Sequence, residues 1–311
     1  MSDRHEPQQN KPIQWDQIPD PIIIKGNPHI CHRDAAGHYH DGVFRLFYTQ
    51  SHREADGGHY YIIAVMESQD LVTWSEPKLL TPKDMRLNYS SPGNVIRFND
   101  QWLMSLQTLP RSPGDNHRAR VFKMASDDLE NWGEPQLLKV KGPEVPVDQM
   151  GRMIDAYFVQ DKDNDPKWWC FFKQCGVGMS YTYDFETWTY FSKVEAGENS
   201  CVLVDREQDE YVLIHAPRNG VGIKRSKNLT QWRDLGVWTL GQGKAWAWAA
   251  GRLSAGHVLD LRAEPTVGKY VMFYHGSTME GVRQRETHGE SSLGLAWSDD
   301  LVNWNWPGRE P

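Results

Sequence analysis

Apolar and polar residues alternate along this chain in short runs, and no long stretch carries the 3.6-residue repeat of a helix. Val43-Phe44-Arg45-Leu46-Phe47-Tyr48 alternates as a half-buried strand does, and His59 to Met66 is a second run rich in Tyr, Ile and Val. With the segment before Asp41-Gly42 and the run Trp74 to Leu80, they predict four consecutive antiparallel strands. The pattern then recurs. Asn94 to Phe98, Trp102 to Thr108, Ala119 to Ala125 and Gly133 to Leu138 form a second unit. A third runs through Asp155 to Val159, a hairpin at Asp161 to Pro166, Trp168 to Lys173 and Gly178 to Tyr183. Cys201 to Val204, Tyr211 to His215 and Gly222 to Arg225 belong to a fourth, and Val258 to Asp260, Lys269 to His275 and Leu293 to Trp297 to a fifth. Four-stranded antiparallel units repeated around an axis are the blades of a β-propeller. The expected fold is therefore all-β, a five-bladed β-propeller of four-stranded antiparallel blades. Residues 1–20 read as a polar arm and 21–311 as the single propeller domain. The run Ile22-Ile23-Ile24 is expected to complete the blade formed by the C-terminal segment and so close the ring.

The count of five rests on a repeated seven-residue motif of Ser/Thr, any, Asp/Asn, Leu/Phe, any, any, Trp. It spans Ser68 to Trp74, Ser126 to Trp132, Thr182 to Trp188, Ser226 to Trp232 and Ser298 to Trp304, with the tryptophans 58, 56, 44 and 72 residues apart. Ser/Thr and Asp/Asn two apart form turns, because their short side chains bond nearby backbone N–H groups. The Leu or Phe pins the turn to an apolar layer, and the Trp offers a large surface to bury between units. The motif resembles in part the aspartate box of sialidases, but lacks its glycine and is one residue shorter. It reads as a structural hairpin device, not as a catalytic signature.

Composition narrows the function classes. The apolar share is 39%, with 14 Trp, 12 Tyr and 10 Phe, an aromatic richness that suits β packing and also sugar stacking. The net charge of −7 comes without a basic stripe, so nucleic acid is not an expected partner. No apolar run approaches a membrane span, and the polar start, Met1 to Gln14, has no signal-peptide core, so a cytoplasmic location is expected. Cys31, Cys170, Cys175 and Cys201 lack CxxC spacing and read as free thiols.

Inner strands of a propeller line its channel, so residues that open them converge on one mouth. Aligning the units on the aromatic of the second strand and looking ten residues upstream finds Asp34 before Phe44 and Asp260 before Tyr270, but Pro92 before Trp102. Asp155 and Glu198 fit the inner-strand starts of units three and four, with Glu195 a close competitor for Glu198. Asp260 reads equally well as a structural acid. Small residues Ser90-Ser91-Pro92-Gly93 stand where unit two has no acid. Long inserts at Thr81 to Ser91, Lys139 to Arg152, Gly241 to Gly256 and Thr278 to Ser291 are further candidates for function.

This layout resembles glycoside hydrolase family 43 and its five-bladed relatives, families 32, 68 and 117, over residues 22–311. Those enzymes carry an Asp at the first inner strand, a second Asp further along and then a Glu; here Asp34, Asp155 and Glu198 follow in that order. The chain departs from the pattern in reading Asp34-Ala35 where Asp-Pro is usual, and it lacks the fructosidase sequences of families 32 and 68. The resemblance implies hydrolysis of a glycosidic bond in a carbohydrate by an inverting two-carboxylate mechanism. Asp34 would be the base, Glu198 the acid and Asp155 the modulator of the acid's pKa.

Further residues suit a sugar site. His32 and Arg33 flank Asp34, among His29, His38 and His40, and are expected to bond substrate hydroxyls. Trp246 and Trp248 are expected as a stacking platform, with core packing the equal alternative. Arg152, Arg252 and Arg262 stand beside inner-strand starts and are suited to clamp hydroxyls or a carboxylate. No cofactor is required. The channel axis is the place for a structural Ca²⁺ or other cation, with His257 and His275 as candidate ligands; His215 and His275 are also reserve candidates for the acid. Two rival readings share the fold, a non-catalytic carbohydrate-binding propeller and a glycoside phosphorylase. The first would not need all three acids, and the second would need basic residues beside them.

Overall fold

The computed structural model describes residues 11–309 except 56, 111–114, 164–165, 244–245 and 281–289. Residues 1–10 of the expected arm, part of the 161–166 hairpin and most of the 278–291 insert therefore lie outside the described residues. Five antiparallel sheets follow one another along the chain. Blade one comprises Ile30–His40, Val43–Arg53, His59–Ser68 and Lys78–Leu79. In blade two the inner strand is split into Tyr89–Ser90 and Val95–Phe98, followed by Gln101–Thr108, Val121–Ser126 and Gln136–Leu137. Blade three comprises Ile154–Gln160, Trp168–Lys173, Val177–Thr182 and Thr189–Val194. Glu198–Asp205, Glu210–Ala216, Val221–Ser226 and Arg233–Trp238 form blade four. Blade five has Arg252–Leu261, Lys269–Ser277, Ser292–Ser298 and Trp304–Asn305.

The ring closes as the isoleucine run implies. Ile22–Ile24 pairs antiparallel with Ser292–Ser298, Ile22 opposite Gly294 and Ile24 opposite Leu293, so the start of the described chain supplies an outer strand to the last blade. Residues 11–20 lie against the same wall. Ile13 and Ile18 are buried, the Ile13 N–H donates to the Thr266 carbonyl at 2.8 Å, and the Trp15 ring lies 5.0 Å from Trp297.

The core is divided among the seams between blades. Phe47, Ile63, Met104 and Leu106 fill one seam. Phe158, Phe172, Phe185 and Trp188 fill another, and Phe44, Leu46, Val271 and Phe273 a third. Each such side chain contributes about 1.5–3 kcal/mol by leaving water, so the seams are what hold the blades together. The motif tryptophans join them. Trp74 meets Phe273 of blade five, Trp132 meets Phe47 of blade one, and Trp304 meets Trp238 of blade four.

All five motif turns share one hydrogen-bond pattern. In the last, Ser298 Oγ accepts the Leu301 N–H at 3.1 Å, while Asp300 Oδ1 accepts the Val302 and Asn303 N–H groups at 2.8 and 2.7 Å. In blade four Asn228 Oδ1 does the same for Thr230 and Gln231. The apolar residue directly after the Asp or Asn takes a left-handed backbone, with φ of 62° at Leu71, 67° at Leu129, 59° at Phe185 and 62° at Leu229 and Leu301. That conformation is unfavourable for a bulky residue, and it is held here by the two side-chain acceptors and by burial of the Leu or Phe.

Candidate active site

Four inner strands carry the same irregularity. Two residues of the inner strand oppose one of its neighbour between Arg33 and Ala36, Ile154 and Tyr157, Glu198 and Cys201, and Ser254 and His257. These are β-bulges, which bend a strand and re-aim a side chain. The first residue of each takes a left-handed backbone: Asp34 (φ 53°), Asp155 (54°), Asn199 (51°) and Ala255 (54°); Ser91 (45°) does so at the break in blade two. Asp and Asn tolerate this region better than most residues. All five residues line one small axial cavity of about 20 Å³, together with Gly93, Cys201 and His257. A side chain at Gly93 would collide with the Ala156 carbonyl of the next blade, 1.6 Å from where its Cβ would stand, so only glycine fits there.

The bulges leave backbone N–H groups outside the strand ladder, and side chains of the preceding blade take them up. Ser91 N–H donates to Thr49 Oγ1 at 2.8 Å and Asp155 N–H to Gln107 Oε1 at 2.6 Å. Asn199 N–H donates to Asp155 Oδ2 at 3.1 Å and Asp34 N–H to His275 Nδ1 at 3.1 Å. Thr49, Gln107 and His275 occupy one register position, each opposite the residue just before the bulge or, in blade two, the break. In blade three that position is Lys173, a donor that bonds the Ala196 carbonyl, and Asp155 itself serves as the acceptor.

The expected acids converge. Asp34 is buried, with Arg33 Nε 3.3 Å from its Oδ2 and Asn199 Nδ2 donating to its Oδ1 at 3.3 Å. Arg33 is itself buried, its guanidinium stacked 4.6 Å above the Tyr61 ring. Asp155 is enclosed. Burial first, then the nearby charges of Glu198 and Asp34, push its carboxyl up to about 7, against the bonds from Asn199 and Ser91. Glu198 is the exposed member, its side chain 35% accessible and its Oε1 2.7 Å from Arg252 Nη2. Glu195 is on the surface beside Lys193, 83% exposed.

Other candidates fall elsewhere. Asp260 is held by Arg262 through two bonds of 2.9 Å at the far end of its inner strand, and Arg262 also caps the Tyr270 ring at 4.4 Å. Ala255, not Asp260, is the counterpart of Asp34. The ten-residue count fails because the blade-five hairpin is longer than the Asp41-Gly42 turn, placing Tyr270 opposite Asp260 and Phe44 opposite Tyr39. Trp246 and Trp248 pack on each other at 5.3 Å and against Tyr274 at 6.4 and 5.9 Å, so the alternative of core packing holds for them. His32 is buried, its N–H donating to the Ser291 carbonyl, and burial lowers its ring to about 4. His215 accepts the Gly197 N–H at 3.0 Å through Nδ1 and burial lowers it to about 4, a poor setting for a proton donor at neutral pH. The Arg152 carbonyl accepts from Gln174 Nε2 at 3.0 Å. Asn199 and Gln107, absent from the sequence-based set, are hydrogen-bonded to the acids, and Thr49, also absent from it, holds the Ser91 N–H.

No family model matches the chain, and no curated protein matches its sequence. Solved structures do match its fold. An exo-1,5-α-L-arabinanase from a bovine ruminal metagenomic library aligns with a TM-score of 0.58 at 14% identity, covering 90% of this chain and 97% of that one. A family-43 enzyme from Xanthomonas citri, complexed with xylose, aligns at 0.59 and 12% identity, covering 89% and 90%. A structure from family 130, described as mannoside phosphorylases containing hydrolases that target β-1,2-mannosidic linkages in Candida mannan, aligns at 0.64 and 13%, covering 100% and 98%. At these identities the likeness is one of fold. The chain is a five-bladed β-propeller resembling those of the family-43 glycoside hydrolases and their relatives.

Proposed function

We propose that this protein is a glycoside hydrolase whose site is formed by Asp34, Asp155 and Glu198. The observation that carries the reading is the meeting of three carboxyls from three blades, two of them on bulges that face one axial cavity. Asp34, with the Arg33 guanidinium as a counter-charge, is suited to take a proton from water. As the water oxygen bonds the anomeric carbon, the glycosidic C–O bond breaks and the leaving oxygen takes a proton from Glu198. Asp155, which keeps its proton beside Glu198, can refill that group. Glu198 is the member that reaches solvent, where a leaving saccharide would stand. The arabinanase and the xylose complex among the structural neighbours agree with a carbohydrate substrate. In an inverting enzyme the two working carboxyls stand about 6.5–9.5 Å apart, leaving room for water.

Phosphorolysis is the second reading. Arg33 and Arg252 place two guanidiniums beside the acids, and one structural neighbour comes from a family of phosphorylases. A screen of aryl arabinosides, xylosides, galactosides and fructosides, run with and without inorganic phosphate, separates the two. Phosphate-independent release of the aryl alcohol is expected. Release only with phosphate would favour the second reading, and no release from any glycoside would count against both.

A further inference from the structure

A backbone N–H can only donate, so a ring nitrogen that meets one must accept. Two buried histidines of blade five are in this position on either side of one bulge. His275 Nδ1 accepts the Asp34 N–H and His257 Nδ1 accepts the Gly37 N–H, each at 3.1 Å. Both rings are fully enclosed, and burial lowers them to about 3 and about 4, so both are neutral at ordinary pH. A neutral imidazole has one proton, and with Nδ1 accepting, that proton is on Nε2. The tautomer is therefore set by the backbone of blade one. A metal-binding imidazole must offer a lone pair, and here both Nδ1 lone pairs are taken while both Nε2 atoms carry the proton. The axial cavity has room for one water-sized guest, and among the described residues no group of three or more His, Cys, Asp or Glu side chains is arranged to hold a metal ion.

We propose that His275 and His257 are positioning residues for Asp34, not ligands of an axial cation. They tie the Asp34 bulge to blade five, and His275 holds Asp34 in its left-handed backbone with the carboxylate aimed at the axis. The molecule supplies its own comparison. At the same register position in blade two, Gln107 Oε1 does for Asp155 what His275 Nδ1 does for Asp34. What the position requires is an acceptor, not an imidazole.

The catalytic part of this inference rests on the hydrolase reading; the tautomer and metal parts do not. Protein labelled with ¹⁵N in histidine, with His275 assigned from the spectrum of His275→Gln, is expected to show His275 as the neutral Nε2–H tautomer. Adding Ca²⁺, Mg²⁺, Mn²⁺ or Zn²⁺, or EDTA, is expected to leave the thermal midpoint and, for the diamagnetic ions, the His275 and His257 signals unmoved. An Nδ1–H tautomer, or stoichiometric binding of a cation with a shift of either ring, overturns the proposal even if no glycoside is ever cleaved. On the best substrate found, His275→Gln is expected to keep kcat within about threefold, while His275→Leu loses about 10- to 100-fold in kcat with KM little changed, the signature of a displaced reacting group. Equal losses in the Gln and Leu variants, both folded, would overturn it as well.

Discussion

The carboxyl of Asp155 is protonated where an exposed one would be charged, and this has a sign that can be measured. In the unfolded chain it loses its proton near 3.8; in the fold, burial and the charges of Glu198 and Asp34 hold the proton up to about 7. Between those values the folded state binds more protons than the unfolded one, so stability falls as pH rises through the window. Asp155→Asn removes the titration. The thermal midpoint of the variant minus that of wild type is expected to climb from pH 4 to pH 7 and then level off; a flat difference would mean that Asp155 titrates normally. Glu198 makes a different prediction. If it protonates the leaving oxygen, Glu198→Gln should lose about 10²–10⁴-fold on saccharides, whose leaving group needs a proton, and far less on dinitrophenyl glycosides, whose leaving group does not. Equal losses on both would remove Glu198 from the role of acid. The approximate places of these acids were legible in the sequence, because acids at inner-strand starts stand out among 41 acidic residues once the units are aligned. Asn199 was not legible, since its importance lies in bonds to Asp34 and Asp155, 165 and 44 residues away.

At the scale of the element, the motif turn was readable because everything that makes it is local. Ser or Thr, Asp or Asn, and the apolar residue that follows lie within four positions, and their bonds recur in all five blades. The turn also has an acid limit. Its bonds from backbone N–H groups hold Asp300 down to about 2 and lower Asp70, Asp128 and Asp184 in the same direction. The stability they contribute is present above the ordinary carboxylate value and is lost as pH falls through the folded one. Asn228 shows that an amide serves equally. Asp300→Asn is therefore expected to match wild type at pH 7 and to outlast it between pH 4 and pH 2, whereas Asp300→Ala should lose about 1 kcal/mol at neutral pH, as when a side-chain cap is removed from backbone N–H groups. Thermal midpoints across pH decide this, and an Asn variant as weak as the Ala variant would contradict it. The bulge is the opposite kind of element. Nothing in Asp34-Ala35 or Ala255-Gly256 announces it, because the groups that satisfy its N–H bonds sit on the preceding blade. This is also why a fixed count from the second strand chose Asp260 over Ala255.

Across the whole molecule, repetition made the architecture legible while the unequal hairpins blurred the phase between units. Each blade buries its faces only against its neighbours, and Ile22–Ile24 joins the last blade to the first. That closed ring lets side chains of one blade hold the bulges of the next, so that Asp34 and Asp155 face one axial cavity and the charge of Glu198 acts on Asp155. The account stands on those three acting together on a sugar. Its most direct test is proton NMR of the sugar first released from the best glycoside, for wild type and for Asp34→Asn. The account predicts that wild type releases the anomer opposite to that of the substrate, and that Asp34→Asn, folded and with an unchanged thermal transition, releases none at a measurable rate. Release of the same anomer, or undiminished turnover by Asp34→Asn, would contradict it.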